Sequence, residues 1–154
     1  MTQNEHWMKF AYREAEYAYN NDEIPVGCVI VFQNTLIAKA HNQVETLKDP
    51  TAHAEMIAIT SASEYLQSKQ LVGCSMFVTL EPCAMCAGAI ILSKMENLFF
   101  GAFDTKSGAC GSVANITNNN SLNHNCNVTG GILDRECGDI LKSFLKAKRE
   151  KLNT

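Results

Sequence analysis

Apolar positions recur along the chain with two different periods. In residues 5–19, Trp7, Ala11, Ala15 and Ala18 return every three or four positions, which predicts a helix closed by Asn20-Asn21-Asp22. The β-rich runs VGCVIVF (26–32) and TLIAKA (35–40) flank Gln33-Asn34, the pattern of a hairpin. Asp49-Pro50 marks a turn, and a helix is expected to open near His53. CSMFVTL (74–80) has the composition of a buried strand. The segment EPCAMCAGAIILSK (81–94) is predicted helical with Pro82 in its first turn, where a missing N–H costs nothing. NLFFGAF (97–103) predicts another strand, and a polar, Asn-dense loop fills 115–127. Beyond it Leu133, Cys137, Ile140, Leu141, Phe144 and Leu145 keep helical spacing in a closing helix. A hairpin followed by alternating helices and strands predicts an α/β fold. The expected form is a three-layer α-β-α sandwich, a mixed sheet with helices on both faces. No repeat or linker divides the chain, so residues 1–154 are expected to form one domain.

Composition narrows the setting. A chain of 154 residues buries roughly 70% of its unfolded surface and can fold without disulfides. No stretch approaches the roughly 18 consecutive apolar residues of a membrane span, and the opening residues lack the apolar core of a secretion signal. A cytoplasmic protein without membrane contact is expected. The seven cysteines then suit reduced thiols or metal ligands, since an odd number does not close a disulfide framework. The three Asn-x-Ser/Thr matches at 115–117, 119–121 and 127–129 are read as coincidental.

A net charge of −3 argues against broad nucleic-acid binding, and no DNA partner is expected. The average conceals a local asymmetry. Lys142, Lys146, Lys148, Arg149 and Lys151 crowd the last segment against a single Glu150. A solvated helix end explains such a run, because cations are favoured near the negative pole of the helix dipole. A phosphate-binding patch explains it equally in kind, though charge alone favours the first account.

The chemistry concentrates in two fragments, HAE at 53–55 and PCAMC at 82–86. Cys83 and Cys86 are three apart on a predicted first turn, so both sulfurs face one side, and a helix N-terminus lowers thiol pKa. His53, on the first turn of the preceding helix, can add a neutral imidazole if the two helix starts adjoin. Two sulfurs and one nitrogen match a zinc site with an open fourth position. Cys28, Cys74 and Cys110 could in principle close it, but none has paired spacing, and Cys28 and Cys74 suit core positions on strands. Glu55 lies roughly 200° around an ideal helix from His53, awkward for joint chelation yet suited to proton transfer beside a zinc-activated water. The plainer role for Glu55 is to complement the helix dipole.

H-x-E followed by P-C-x-x-C resembles the signature of the zinc-dependent nucleobase deaminases, and the mechanism comes with that signature. The resemblance extends through EIPVGCVIV, HN at 41–42, DPTAHAEMIAI, FVTLEPCAMCAGAI, GAFDTKSGACGS, NH at 123–124 and GGILDREC, in order from about residue 5 to 150. These are similar to the bacterial tRNA-specific adenosine deaminases. The resemblance implies His53, Cys83 and Cys86 on one Zn2+ per chain, with Glu55 as proton shuttle. It implies that Asn42 bonds the adenine, and that the backbone at Ala54 and Pro82 borders the base. Asp104, Lys106, Ser107, Asn123 and His124 would receive an unstacked tRNA anticodon loop, helped by Phe144 and Arg149 of the closing helix, and a homodimer is implied. Leu145 departs from the family, which carries a second aromatic there. The resemblance also implies that the mixed sheet is five-stranded, and the implied activity is hydrolysis of the wobble adenosine to inosine. Two rivals remain at this point: a deaminase of free bases or nucleosides (guanine, cytosine or adenosine) on the same fold, and a non-catalytic RNA-binding protein stabilised by zinc. The FDTKSG loop and basic helix weigh against the first, Glu55 and the missing fourth ligand against the second.

Overall fold

The computed structural model describes residues 1–122 and 124–153. Helix α1 (Gln3–Asn20) opens on a capping box: Thr2 Oγ1 accepts from the Glu5 N–H and Glu5 Oε1 from the Thr2 N–H, both at 3.1 Å. Strands β1 (Gly27–Phe32) and β2 (Thr35–His41) form the expected hairpin. Gln33 and Asn34 sit at φ 49° and 59°, the left-handed pair that a two-residue turn needs to match strand twist. A four-residue helix, α2 (Val44–Leu47), leads to α3 (Ala54–Leu66). Then come β3 (Cys74–Leu80), α4 (Ala84–Leu92), β4 (Asn97–Ala102), β5 (Asn127–Thr129) and α5 (Asp134–Leu152).

The five strands are ordered β2-β1-β3-β4-β5. β1 is antiparallel to both β2 and β3, whereas β3, β4 and β5 run parallel. The central strands are buried on both faces, which explains their near-continuous apolar sequence. Cys28, Ile30, Met76 and Val78 pack under α3 and α4; Val29, Val31 and Phe77 face α1 and α5. The three-layer mixed sandwich is therefore present.

Two expectations need correction. Pro82 is not in the first turn of α4: Cys83 is the N-cap and the proline precedes it. His53 likewise occupies the N-cap position of α3, before its first turn.

Register decides where the site falls. Gly27 pairs with His41, Cys28 with Val78 and Leu80 with Ala102. The start of β1 and the ends of β2, β3 and β4 thus share one end of the sheet, and the loops leaving them converge there. Among the described residues no helix is long and apolar enough to cross a membrane.

Candidate active site

His53 and Cys83 have extended backbones (φ −75°, ψ 150° and φ −74°, ψ 177°), and neither side chain caps its own helix. Both are thereby free to face Cys86, one turn into α4. His53 Nδ1 stands 3.7 Å from Cys83 Sγ and 3.5 Å from Cys86 Sγ, and the three ligand atoms all lie within 4.8 Å of one another. A tetrahedral zinc with ligands at 2.0–2.3 Å spaces them by roughly 3.3–3.8 Å, so the donor set and its separations fit that ion. The hydrogen bond from Cys86 draws the Cys83 thiol down to about 5 against its burial. The same pairing, together with burial, pushes Cys86 up. A metal ion binds both sulfurs as thiolates, so its binding would release any proton they hold.

No other His, Cys, Asp or Glu among the described residues joins this group. Cys28 is fully enclosed, and burial pushes Cys74 to about 11 and Cys110 to about 12, as for inert core thiols. A zinc held by these three residues would have its fourth position open to solvent or substrate. Glu55 lies two residues after His53, outside the ligand set and only 4% exposed. Burial, the largest influence on it, pushes its carboxyl above the ordinary carboxylate value.

His53, Glu55 and Cys83 open into a cavity of about 900 Å³. Asn42 is on its wall, and its Oδ1 accepts from the Ala54 N–H at 2.8 Å, supplying the cap that His53 does not. Its Nδ2 makes no hydrogen bond to the described residues and keeps two donors available. Asp104, Ser107 and Phe144 also line the cavity. Ala54 and Pro82 stand beside it in sequence without lining it, and Lys106 and Arg149 are exposed outside it.

His124 is elsewhere. Its Nε2 is 2.7 Å from the Met95 carbonyl, in a depression with Gly73 and Glu96 at the opposite end of the sheet. Asn123, expected with it, lies outside the described residues.

Several wall residues were not anticipated. Lys148, not Arg149, reaches the cavity, pairing with Asp22 at 2.7 Å and lying 5.5 Å over the Phe144 ring. Glu23 is buried and accepts from the Glu45 N–H, the Thr46 N–H and the Thr46 hydroxyl, pinning α2 beside the cavity. Glu81 is buried at the end of β3. A charged residue adjoining an apolar strand and a metal ligand is the signal that could have exposed Glu81. Nothing comparable marks Glu23 or Lys148.

An open metal site with a carboxylate beside it, on this sheet order, defines a class of protein. The chain belongs to the cytidine and deoxycytidylate deaminases, whose zinc-binding region matches residues 1–102. It is 44% identical over 151 residues to the tRNA-specific adenosine deaminase of Bacillus subtilis, covering 98% of this chain and 94% of that one. A structure from a study of A-to-I editing by tRNA:A34 deaminases at the wobble position superposes with a TM-score of 0.85 at 39% identity, over 88% of this chain and 99% of that one. A guanine deaminase from Bacillus subtilis matches less completely, with a TM-score of 0.64 at 38% identity over 73% of this chain and 71% of that one.

Proposed function

We propose that the chain hydrolyses adenosine to inosine and ammonia at the wobble position of tRNA. The observation that carries this reading is the His53–Cys83–Cys86 group with Glu55 beside it at the base of an open cavity. His53, Cys83 and Cys86 hold the zinc, which supplies a water acidified to near-neutral pKa when bound. Glu55 would take one proton from that water and pass it to the ring nitrogen as the oxygen adds to C6. The same carboxyl, raised by its burial, would then take the second proton from the new C6 hydroxyl and give it to the amine, which leaves as ammonia. Asn42, fixed through Oδ1 to the start of α3, presents its Nδ2 donors to the base.

The tRNA relatives and the size of the cavity support a nucleotide within a loop over a free base. A base in a loop must first leave its stack, at a cost of a few kcal/mol. Phosphate contacts from the basic α5 offset that cost. The anticodon loop is accordingly the proposed ligand, in the cytoplasm, met by a homodimer. The outer face of α4 supports the dimer: Ala84 and Leu92 are exposed there, and nothing lies within 4 Å of a Cβ built on Gly88.

The test compares inosine formation on an anticodon stem-loop with ammonia release from free guanine, cytidine and adenosine. Preference for the stem-loop is expected. Faster turnover of free guanine would transfer the assignment to small-molecule deamination.

A further inference from the structure

Glu81 is 2% exposed and, among the described residues, takes part in no ion pair. A buried carboxylate is costly unless hydrogen bonds compensate it. Here all of them come from one loop. Oε1 accepts from the Asp104 N–H at 3.1 Å and from the Ser112 hydroxyl. Oε2 accepts from the Cys110 N–H at 3.1 Å and the Ser112 N–H at 3.0 Å. The neighbouring Pro82 carbonyl accepts from the Ala109 N–H at 2.9 Å.

The fit leaves no space. A Cβ on Gly108 would collide with the Glu81 carboxyl carbon and the Asp104 carbonyl. Within this loop Asp104 Oδ1 accepts from the Lys106 and Ser107 N–H groups at 3.1 and 3.0 Å, and both Asp104 and Ser107 stand on the cavity wall. The residues that clamp the loop, Glu81 and Pro82, run directly into the metal ligand Cys83.

We infer that Glu81 is a positioning residue for substrate. It fastens the 104–112 loop to the start of α4, so that Asp104 and Ser107 meet the substrate at a fixed distance from the metal ligands. This inference rests on the deaminase reading above.

Glu81→Gln preserves size but offers one acceptor oxygen to donors that occupy two. Ser112→Ala keeps the carboxylate and removes one hydroxyl. Each variant is compared with the parent by metal analysis, by hydrogen exchange over residues 104–112, and by kcat and KM on the anticodon stem-loop. For Glu81→Gln we expect retained zinc and exchange at Cys110 and Ser112 faster by roughly tenfold. KM should rise by roughly tenfold while kcat changes little, as for the loss of one or two charge-assisted hydrogen bonds. Ser112→Ala should shift in the same direction by less, and it decides the matter if Glu81→Gln does not fold. Unchanged exchange overturns the inference. So does a fall of kcat and zinc content together with KM unmoved, which marks a merely structural role. A parent inactive on the stem-loop instead overturns the proposed substrate; the kcat and KM comparison is then made on free guanine, and the exchange result stands independently.

Discussion

At the two helix starts where a Ser or Asp would ordinarily accept a backbone N–H, this chain places His53 and Cys83, and neither makes a capping bond. For α3 the missing cap is restored from outside by Asn42; for α4 no side-chain cap is present. Local helix stability is given up for a metal-binding geometry, which yields a first expectation. Cys86→Ser should lose most of its zinc by metal analysis, whereas Glu55→Ala should keep zinc yet lose turnover by at least the ~10²–10⁴-fold typical of general acid–base catalysis. Zinc loss from Glu55→Ala would place that carboxylate among the ligands. Glu23 supports a prediction of a different kind. Burial pushes its carboxyl up, but bonds from the Thr46 hydroxyl and the Glu45 and Thr46 N–H groups outweigh it and hold it below its ordinary value of 4.5. A carboxyl lowered by folding contributes stability above its unfolded pKa and loses it as pH falls through the folded one. The melting temperature of the parent should therefore fall more steeply below pH 4.5 than that of Glu23→Gln. At pH 7 Glu23→Gln should be less stable by about 2 kcal/mol, or roughly 4–8 °C in a chain of this size. Parallel acid transitions for the two proteins would remove Glu23 from this role.

Elements follow the apolar pattern closely where burial is two-sided or amphipathic, and poorly where a neighbour decides. β3 occupies residues 74–80 as its composition predicts, and the Gln33-Asn34 turn was legible from the two-residue gap between β-rich runs, with Asn34 suited to left-handed backbone. β5 carried no comparable signal: three residues at a sheet edge, Asn127–Thr129, are ordered by parallel pairing to β4 across a long loop. The metal ligands were legible because their spacing is itself the chemistry. Glu81 and Lys148 were not, because their roles depend on partners 23 or more residues away and far along the chain. On α5 the Asp22 carboxylate and the Phe144 ring select Lys148 as the inward cation, leaving Lys146 and Arg149 exposed on the same basic stretch. Under the proposed function those two would meet phosphates outside the cavity. Lys146→Ala/Arg149→Ala should weaken stem-loop binding and lower its salt slope by roughly 0.7 for each phosphate no longer neutralised, with zinc content unchanged. A titration series with identical slopes would make this face a solvated surface only.

For the molecule as a whole, the exposed apolar strip on α4 sets the assembly expected of it. Leu92 is 82% exposed on a helix whose other face packs into the core. Leu92→Glu should shift sedimentation from dimer to monomer at micromolar concentration, and a parent that sediments as a fully active monomer would refute the dimer. The opposite side of the sheet is governed by one missing side chain. α1 sits so near β1 that a Cβ on Gly27 would run into the Ala11 carbonyl, the Ala15 N–H and Glu14. The end of that same helix leads into Asn21, Asp22 and Glu23, which form part of the cavity wall. The helix behaves like the arm of a calliper, closed against its stop at Gly27 and gauging the aperture with its tip. A bulkier residue at the stop would have to lift the helix from the strand, and the wall at its tip with it, so the bore of this enzyme depends on a position away from the cavity lining.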